Sequence, residues 1–94
     1  PQSLSKVIIH LVFSTKDRQP FISISLKPRL HAYLAMLARD LEWECLRVGG
    51  VSDHVHLALK QPRTANLSDL VGRIKRQSSL WLKREGKSIY QIDW

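Results

Sequence analysis

Residues 54 to 60, His-Val-His-Leu-Ala-Leu-Lys, alternate one by one between polar or small side chains and branched apolar ones. Successive residues of a strand point to opposite faces. This period of two therefore predicts a strand with Val55, Leu57 and Leu59 on one face and His54 and His56 on the other. A sheet built around such a strand must cover the apolar face, and it leaves both imidazoles on the second one. Neutral imidazole is the commonest protein metal ligand, so the pair is a candidate metal site. The plain alternative is two half-exposed histidines on a sheet surface.

The rest of the chain can be ordered around this strand. Lys6 to Ser14 is β-branched and apolar and reads as a buried strand, ended by the polar run Thr15 to Pro20. Ser25 suits a helix cap, and Pro28 falls in a first turn, where a missing N–H is tolerated. Leu30, Leu34, Leu37 and Leu41 then mark one helix face. Trp43 to Val48 reads as a second strand. Gly49 and Gly50 follow as a bend, or as a bulge where backbone must approach something closely. Asp53 to Lys60 is the third strand, and Gln61 to Ala65 is a loop containing Pro62. Asn66 caps a second helix lined by Leu67, Leu70, Val71, Ile74 and Trp81 and ended by Gly86. Ser88 to Trp94 reads as a fourth strand.

The order βαββαβ predicts an α+β fold, a ferredoxin-like sandwich with a four-stranded antiparallel sheet and two helices on one face. With no repeat, low-complexity segment or linker, residues 1–94 read as one domain. The first and third strands are central neighbours in this topology, so His10 could share the open face with His54 and His56. Single-stranded RNA binds that face in RNA-recognition domains, but the third strand has His, Ala and Lys where stacking aromatics would be needed.

The formal charge of +7 on 94 residues is a strong bias and suits nucleic acid, with an anionic membrane surface as the alternative. No apolar run approaches the roughly 20 residues that span a bilayer. The chain opens on no signal-peptide pattern, and the cytoplasm is the expected compartment. The one cysteine, Cys45, excludes an internal disulfide and a Cys-rich zinc site, and reads as a small core residue. Cations gather at Lys16 and Arg18 after the first strand, at Lys27 and Arg29 at the start of the first helix, and at Arg73, Lys75, Arg76, Lys83 and Arg84 on the second. A phosphate backbone explains the surplus most simply, and a solvated helix face is the alternative. Gln77, Ser78 and Ser79 are either hydrogen-bonding groups for phosphates or bases, or surface filler. Trp81 falls on the apolar stripe and reads as core. Asp53 either orients a histidine through a hydrogen bond or is a turn residue.

Three blocks together resemble the single-tyrosine HUH transposases of small insertion sequences and their relatives acting on repetitive extragenic palindromes. His10-Leu11-Val12-Phe13-Ser14-Thr15-Lys16-Asp17-Arg18-Gln19-Pro20-Phe21 is similar to that family's opening strand and basic turn. Gly49 to Leu57 is similar to its HUH segment, with Val55 as the hydrophobic middle residue. Leu67 to Leu82 is similar to its second helix.

The resemblance implies single-stranded DNA cut and rejoined beside small hairpins, and a homodimer in which one subunit's tyrosine can complete the other's site. It implies a divalent cation, Mg²⁺ or Mn²⁺, held by His54 and His56 and acting as a Lewis acid on the scissile phosphate. It implies attack by a tyrosine that becomes joined to the 5′ end. Asp53 would support the histidines, and His10, Lys16, Arg18, Arg73, Lys75 and Arg76 would face DNA. In the family that tyrosine lies on a helix beyond the fourth strand, with a glutamine four residues later. Ile92-Asp93-Trp94 resembles the stretch just ahead of that helix, so these residues are expected to lack both groups. Tyr90 and Gln91 lie upstream of the matching positions, Tyr90 being a remote candidate for the nucleophile, and Tyr33 reads as a packing residue. Thus the expectation is a hairpin-binding transposase core that does not cleave by itself, and the alternative is a non-catalytic or domesticated hairpin-binding module.

Overall fold

The computed structural model describes residues 6–86 and Trp94. β1 (Ile8–Ser14), α1 (Leu26–Asp40), β2 (Glu44–Val51), β3 (His54–Lys60) and α2 (Leu67–Gly86) follow in the order expected, with a tight turn at Lys16–Arg18 after β1. The three strands form one antiparallel sheet in the order β1-β3-β2. The described chain is thus α+β, with two helices and a three-stranded sheet. The fourth strand expected at 88–94 lies outside the described residues except for Trp94.

The alternation along β3 decides the layering. Val55, Leu57 and Leu59 are fully buried, in one cluster with Leu30 and Leu34 of α1 and Leu70, Ile74 and Leu82 of α2. Burying a side chain of this size contributes about 1.5–3 kcal/mol, so this shared core is what holds both helices on one face of the sheet. β1 alternates as well, with Ile8, His10 and Val12 exposed and Phe13 buried. It is a half-buried strand, not the wholly buried one its composition suggests.

The element ends show where local chemistry overrode the simplest reading. Ser25 makes no capping bond; the Ser23 hydroxyl accepts from the Leu26 N–H instead, at 3.1 Å. Asn66 caps α2 as expected, its Oδ1 accepting from the Ser68 N–H at 2.8 Å. α1 ends without glycine. Glu42 takes a left-handed conformation (φ 68°), and the Glu42 and Trp43 amides return to the Arg39 and Ala38 carbonyls at 2.9 and 3.0 Å. This paired return satisfies carbonyls that the helix end leaves open, and it carries Trp43 into the core before β2 begins. β2 runs through Gly49 and Gly50 to Val51, and its irregularity lies earlier, between Cys45 and Arg47, where the exposed Leu46 is the extra residue. Cys45 is half-buried, and burial pushes its thiol up, partly opposed by Arg39.

The helices are also tied to each other. Arg29 pairs with Glu85 at 2.7 Å, and the Tyr33 and Trp81 rings stack at 4.9 Å and 12° with the Arg29 guanidinium over the indole. Trp81 is thus a half-buried interhelical contact. Ser78 is fully buried rather than at the surface: its hydroxyl donates to the Ile74 carbonyl and accepts from the Trp94 indole N–H at 2.7 Å.

His31 of α1 has a buried Nε2 with no hydrogen-bond partner among the described residues. Burial first, then the charges of Lys27 and His56, hold its pKa below the ordinary value of 6.5. The folded state therefore binds fewer protons at this ring than the unfolded state. The associated stability is complete above about 6.5 and declines as the pH falls toward the lowered folded value. The fall in thermal midpoint between pH 7.5 and 5.5 is expected to shrink in His31→Gln, as followed by circular dichroism. An undiminished fall would show that other groups set the acid sensitivity.

Candidate metal centre and nucleic-acid face

Directly opposed residues of an antiparallel pair share a face. Ser14 lies opposite His54 and Val12 opposite His56, with Val51 and Gly49 across from the same two histidines on β2. His10, opposite Ala58, is one step along and diagonal to His56. The open face thus brings His10, His54 and His56 together, as the topology predicts, with exposed Ile8, Val12 and Val51 on the same face.

Each ring is held differently. His54 Nδ1 lies 2.9 Å from Asp53 Oδ1. A carboxylate only accepts, so this contact places the proton on Nδ1 and leaves Nε2 bare. Asp53 thus accepts a hydrogen bond from the ring as well as lying beside the β2–β3 turn. Its carboxyl is held below the ordinary range, chiefly by the hydrogen bond from His54 and then by the Arg18 charge. Arg18 Nε is 3.5 Å from Asp53 Oδ2. His56 Nδ1 lies 3.4 Å from His10 Nε2, with the rings edge-on at 5.4 Å. The rings of His54 and His56 are 6.4 Å apart and 30° from parallel.

Gly49 makes the His56 position available. A Cβ there would lie 2.7 Å from His56 Cε1 and Nε2, so the ring rests over bare backbone. The close approach that two glycines suggest in the sequence is therefore an approach of a histidine ring to the strand. Gly50 is required for a different reason: at φ +152° an added Cβ would collide with the His54 carbonyl oxygen.

A buried threonine, unremarked by composition, anchors the site from below. The Thr15 amide donates to the Asp53 carbonyl at 2.8 Å, and its hydroxyl to the Gln19 carbonyl at 2.7 Å. The Ile22 amide donates to Ser52 at 3.0 Å. The basic turn is thus fastened to the hairpin that carries Asp53 and His54. No periodicity signals such a residue, because its role depends on a contact 38 positions away.

The donor set fits one half of a metal site. Two imidazoles stand on one face with Nε2 unengaged by either hydrogen bond, and the nitrogen donors suit Mn²⁺ better than the harder Mg²⁺. Among the described residues no group of three His, Cys, Asp or Glu side chains is placed to hold an ion. Further ligands would have to come from water, phosphate or elsewhere.

The basic residues do not form one patch. Arg18 stands beside Asp53 at the histidine face, and Lys16 is exposed in the same turn. Arg73 and Arg76 line a pocket of about 330 Å³ with Leu41, Ser68, Asp69 and Gly72, in the helical layer beyond the sheet, and Lys75 is exposed on the same helix. Lys83 and Arg84 fall in the last turn of α2 and Asp69 in its first, where the helix dipole favours each charge. Among the described residues no helix is long and apolar enough to cross a membrane. Tyr90 and Gln91 lie outside the described residues.

The described chain is thus an antiparallel sheet with a His-x-His pair on its open face and two helices on the other. The model of the IS200-like transposases matches residues 3–94, and the chain belongs to that family. Its fold is similar to a crystal structure of a candidate transposase from Deinococcus radiodurans R1, with a TM-score of 0.83 and 22% identity over 90% of this chain. The chain spans 65% of that protein's length. No curated protein matches it.

The contact at Gly49 can be tested directly. Gly49→Ala is expected to displace the His56 ring and weaken Mn²⁺ binding by roughly tenfold, the scale on which ligand orientation acts. Since a side-chain ring can move aside, the thermal midpoint should change little. Titration calorimetry and a melting curve separate the two effects.

Proposed function

We propose that this chain is a transposase domain that binds single-stranded or hairpin DNA and positions a phosphodiester at His54 and His56 for metal-dependent cleavage and rejoining. The observation that carries this reading is the imidazole pair on the open face, with His54 presenting Nε2 through the Arg18–Asp53–His54 chain. Asp53 fixes the His54 ring, and Arg18, tied to Asp53 through one side of its guanidinium, has its remaining N–H groups for a phosphate oxygen. Bound to both Nε2 atoms, a divalent cation would polarise a phosphoryl oxygen as a Lewis acid. Lys16, in the same turn as Arg18, would add a second positive charge for a bound phosphate. Tyr33, the tyrosine among the described residues, is engaged with Trp81, so the reading assigns it no nucleophilic role.

The test is a native gel and a Mn²⁺ titration of this chain and of the His54→Ala, His56→Ala double variant, with labelled hairpin DNA. Both proteins should shift the DNA in EDTA, and only the unaltered chain should bind Mn²⁺. Equal Mn²⁺ binding by the double variant would overturn the metal assignment, and no shift with either protein would overturn the DNA reading. A covalent protein–DNA adduct on a denaturing gel with Mn²⁺ would locate a nucleophile within these residues.

The helical layer makes a separate electrostatic prediction. Each phosphate neutralised on a single strand contributes about 0.7 to the slope of log affinity against log salt. Arg73→Gln with Arg76→Gln should lower that slope by about 0.7 for each phosphate no longer neutralised. The pair should also weaken different hairpins to a similar extent, as measured by fluorescence anisotropy from low to moderate salt.

A further inference from the structure

We propose that His10 is the positioning residue of His56: its Nε2 accepts a hydrogen bond from the Nδ1–H of His56, which keeps the proton on Nδ1 and leaves His56 Nε2 bare for a cation. The inference rests on the reading of His54 and His56 as ion ligands, and it assigns His10 a role other than direct contact with DNA.

The argument starts from the two tautomers of a neutral imidazole. One ring nitrogen donates and the other accepts, and the partner of the first determines which lone pair is available to a ligand. At His54 the choice is made by Asp53, whose carboxylate stands 2.9 Å from Nδ1. His56 has no adjacent acid. Its Nδ1 instead meets His10 Nε2 at 3.4 Å, from a neighbouring strand and 46 residues away in sequence. In both rings the engaged nitrogen is Nδ1, so in both the remaining nitrogen is Nε2. At His56 that atom lies over the bare backbone of Gly49, where a Cβ would come within 2.7 Å of it.

The His10–His56 contact admits two directions. If His10 donated from Nε2, His56 would keep its own proton on Nε2 and could not bind an ion there. With His56 donating, His10 carries its proton on Nδ1 and the His56 lone pair is available. A cation at Nε2 withdraws electron density from the ring and makes its Nδ1–H a stronger donor, so ligand binding and this direction reinforce each other. The β1–β3 register supplies the acceptor: His10 lies opposite Ala58, whose small side chain leaves space for a diagonal approach to His56. His10 is exposed, so replacing it removes an acceptor without opening the core.

Long-range ¹H–¹⁵N correlation on ¹⁵N-histidine-labelled protein without metal reads the tautomers directly. The unaltered chain should show Nδ1–H forms at both His54 and His56. His10→Ala should shift His56 toward the Nε2–H form, leave His54 as it is, and weaken Mn²⁺ binding about 10–100-fold. His10→Gln retains a carbonyl acceptor and should restore most of the affinity and of the Nδ1–H form. DNA binding in EDTA should be the same for all three. An Nε2–H form of His56 in the unaltered chain, or an unchanged His56 tautomer in His10→Ala, overturns the proposal. A His10→Gln variant that binds Mn²⁺ as weakly as His10→Ala while His56 keeps the Nδ1–H form also overturns it, because His10 would then be a direct ligand. The tautomers as proposed, with equal Mn²⁺ binding by the His54→Ala, His56→Ala variant, would leave the hydrogen bond standing and overturn the metal assignment alone.

Discussion

Everything in this molecule depends on the position of β3 between two partners. It pairs with β1 along its whole length and with β2 on the other side, so its register is set by two ladders at once. A slip of one residue would bring Val55, Leu57 and Leu59 onto the open face and bury two imidazoles without partners. The hydrophobic loss and the cost of desolvating polar rings act in the same direction. The force that assembles the core therefore also determines where the histidines stand, and the site requires no separate folding step.

A second constraint acts at the end of the sheet where β1 finishes. Asp17 and Arg18 both have left-handed backbone conformations, at φ 58° and 55°. Asp adopts that region readily, whereas Arg does so at a cost of the order of 1–3 kcal/mol. The hydrogen bonds from Thr15 and Ile22 to the β2–β3 hairpin hold the segment in place despite this strain. The result is a guanidinium beside Asp53, and through Asp53 an oriented His54. Local strain in one connection is thus coupled to the direction of a ring in another.

The periodic features were legible in the sequence, and the features that depend on contact were not. The alternation in β3, the leucine stripe of α1 and the Asn66 cap identify themselves, because each follows from spacing along one element. So does the sharing of a face by His10, His54 and His56, which needs only strand order and the period of two. Ser78 was less readable: it falls between polar neighbours, yet it is buried beneath an indole that lies 16 residues away. The α1 terminus is similar, since Glu42 occupies a conformation usually given to glycine and only the return of Trp43 to Ala38 explains it. Thr15 and Gly49 act through groups on other strands. Their identities are consistent with many roles, and the third dimension selects one.

The two-sided distribution of charge follows from the same layering. One sheet face is used up by the core, so the helices that cover it carry Arg73, Lys75 and Arg76 away from the histidines. On the open face, cations stand on the strands themselves, with Lys60 opposite Ile8 and Arg47 opposite Ala58, and the turn after β1 adds Arg18 beside Asp53. Helix cations beyond the sheet can attract a polyanion over a Debye length of about 8–10 Å, but they cannot stabilise charge developing at one phosphate on the other side. The short-range work on that phosphate falls to groups that touch it. On the proposed reading, affinity and chemistry would be carried by different layers of one small fold, and a nucleic acid engaged by both would pass around the edge of the sheet.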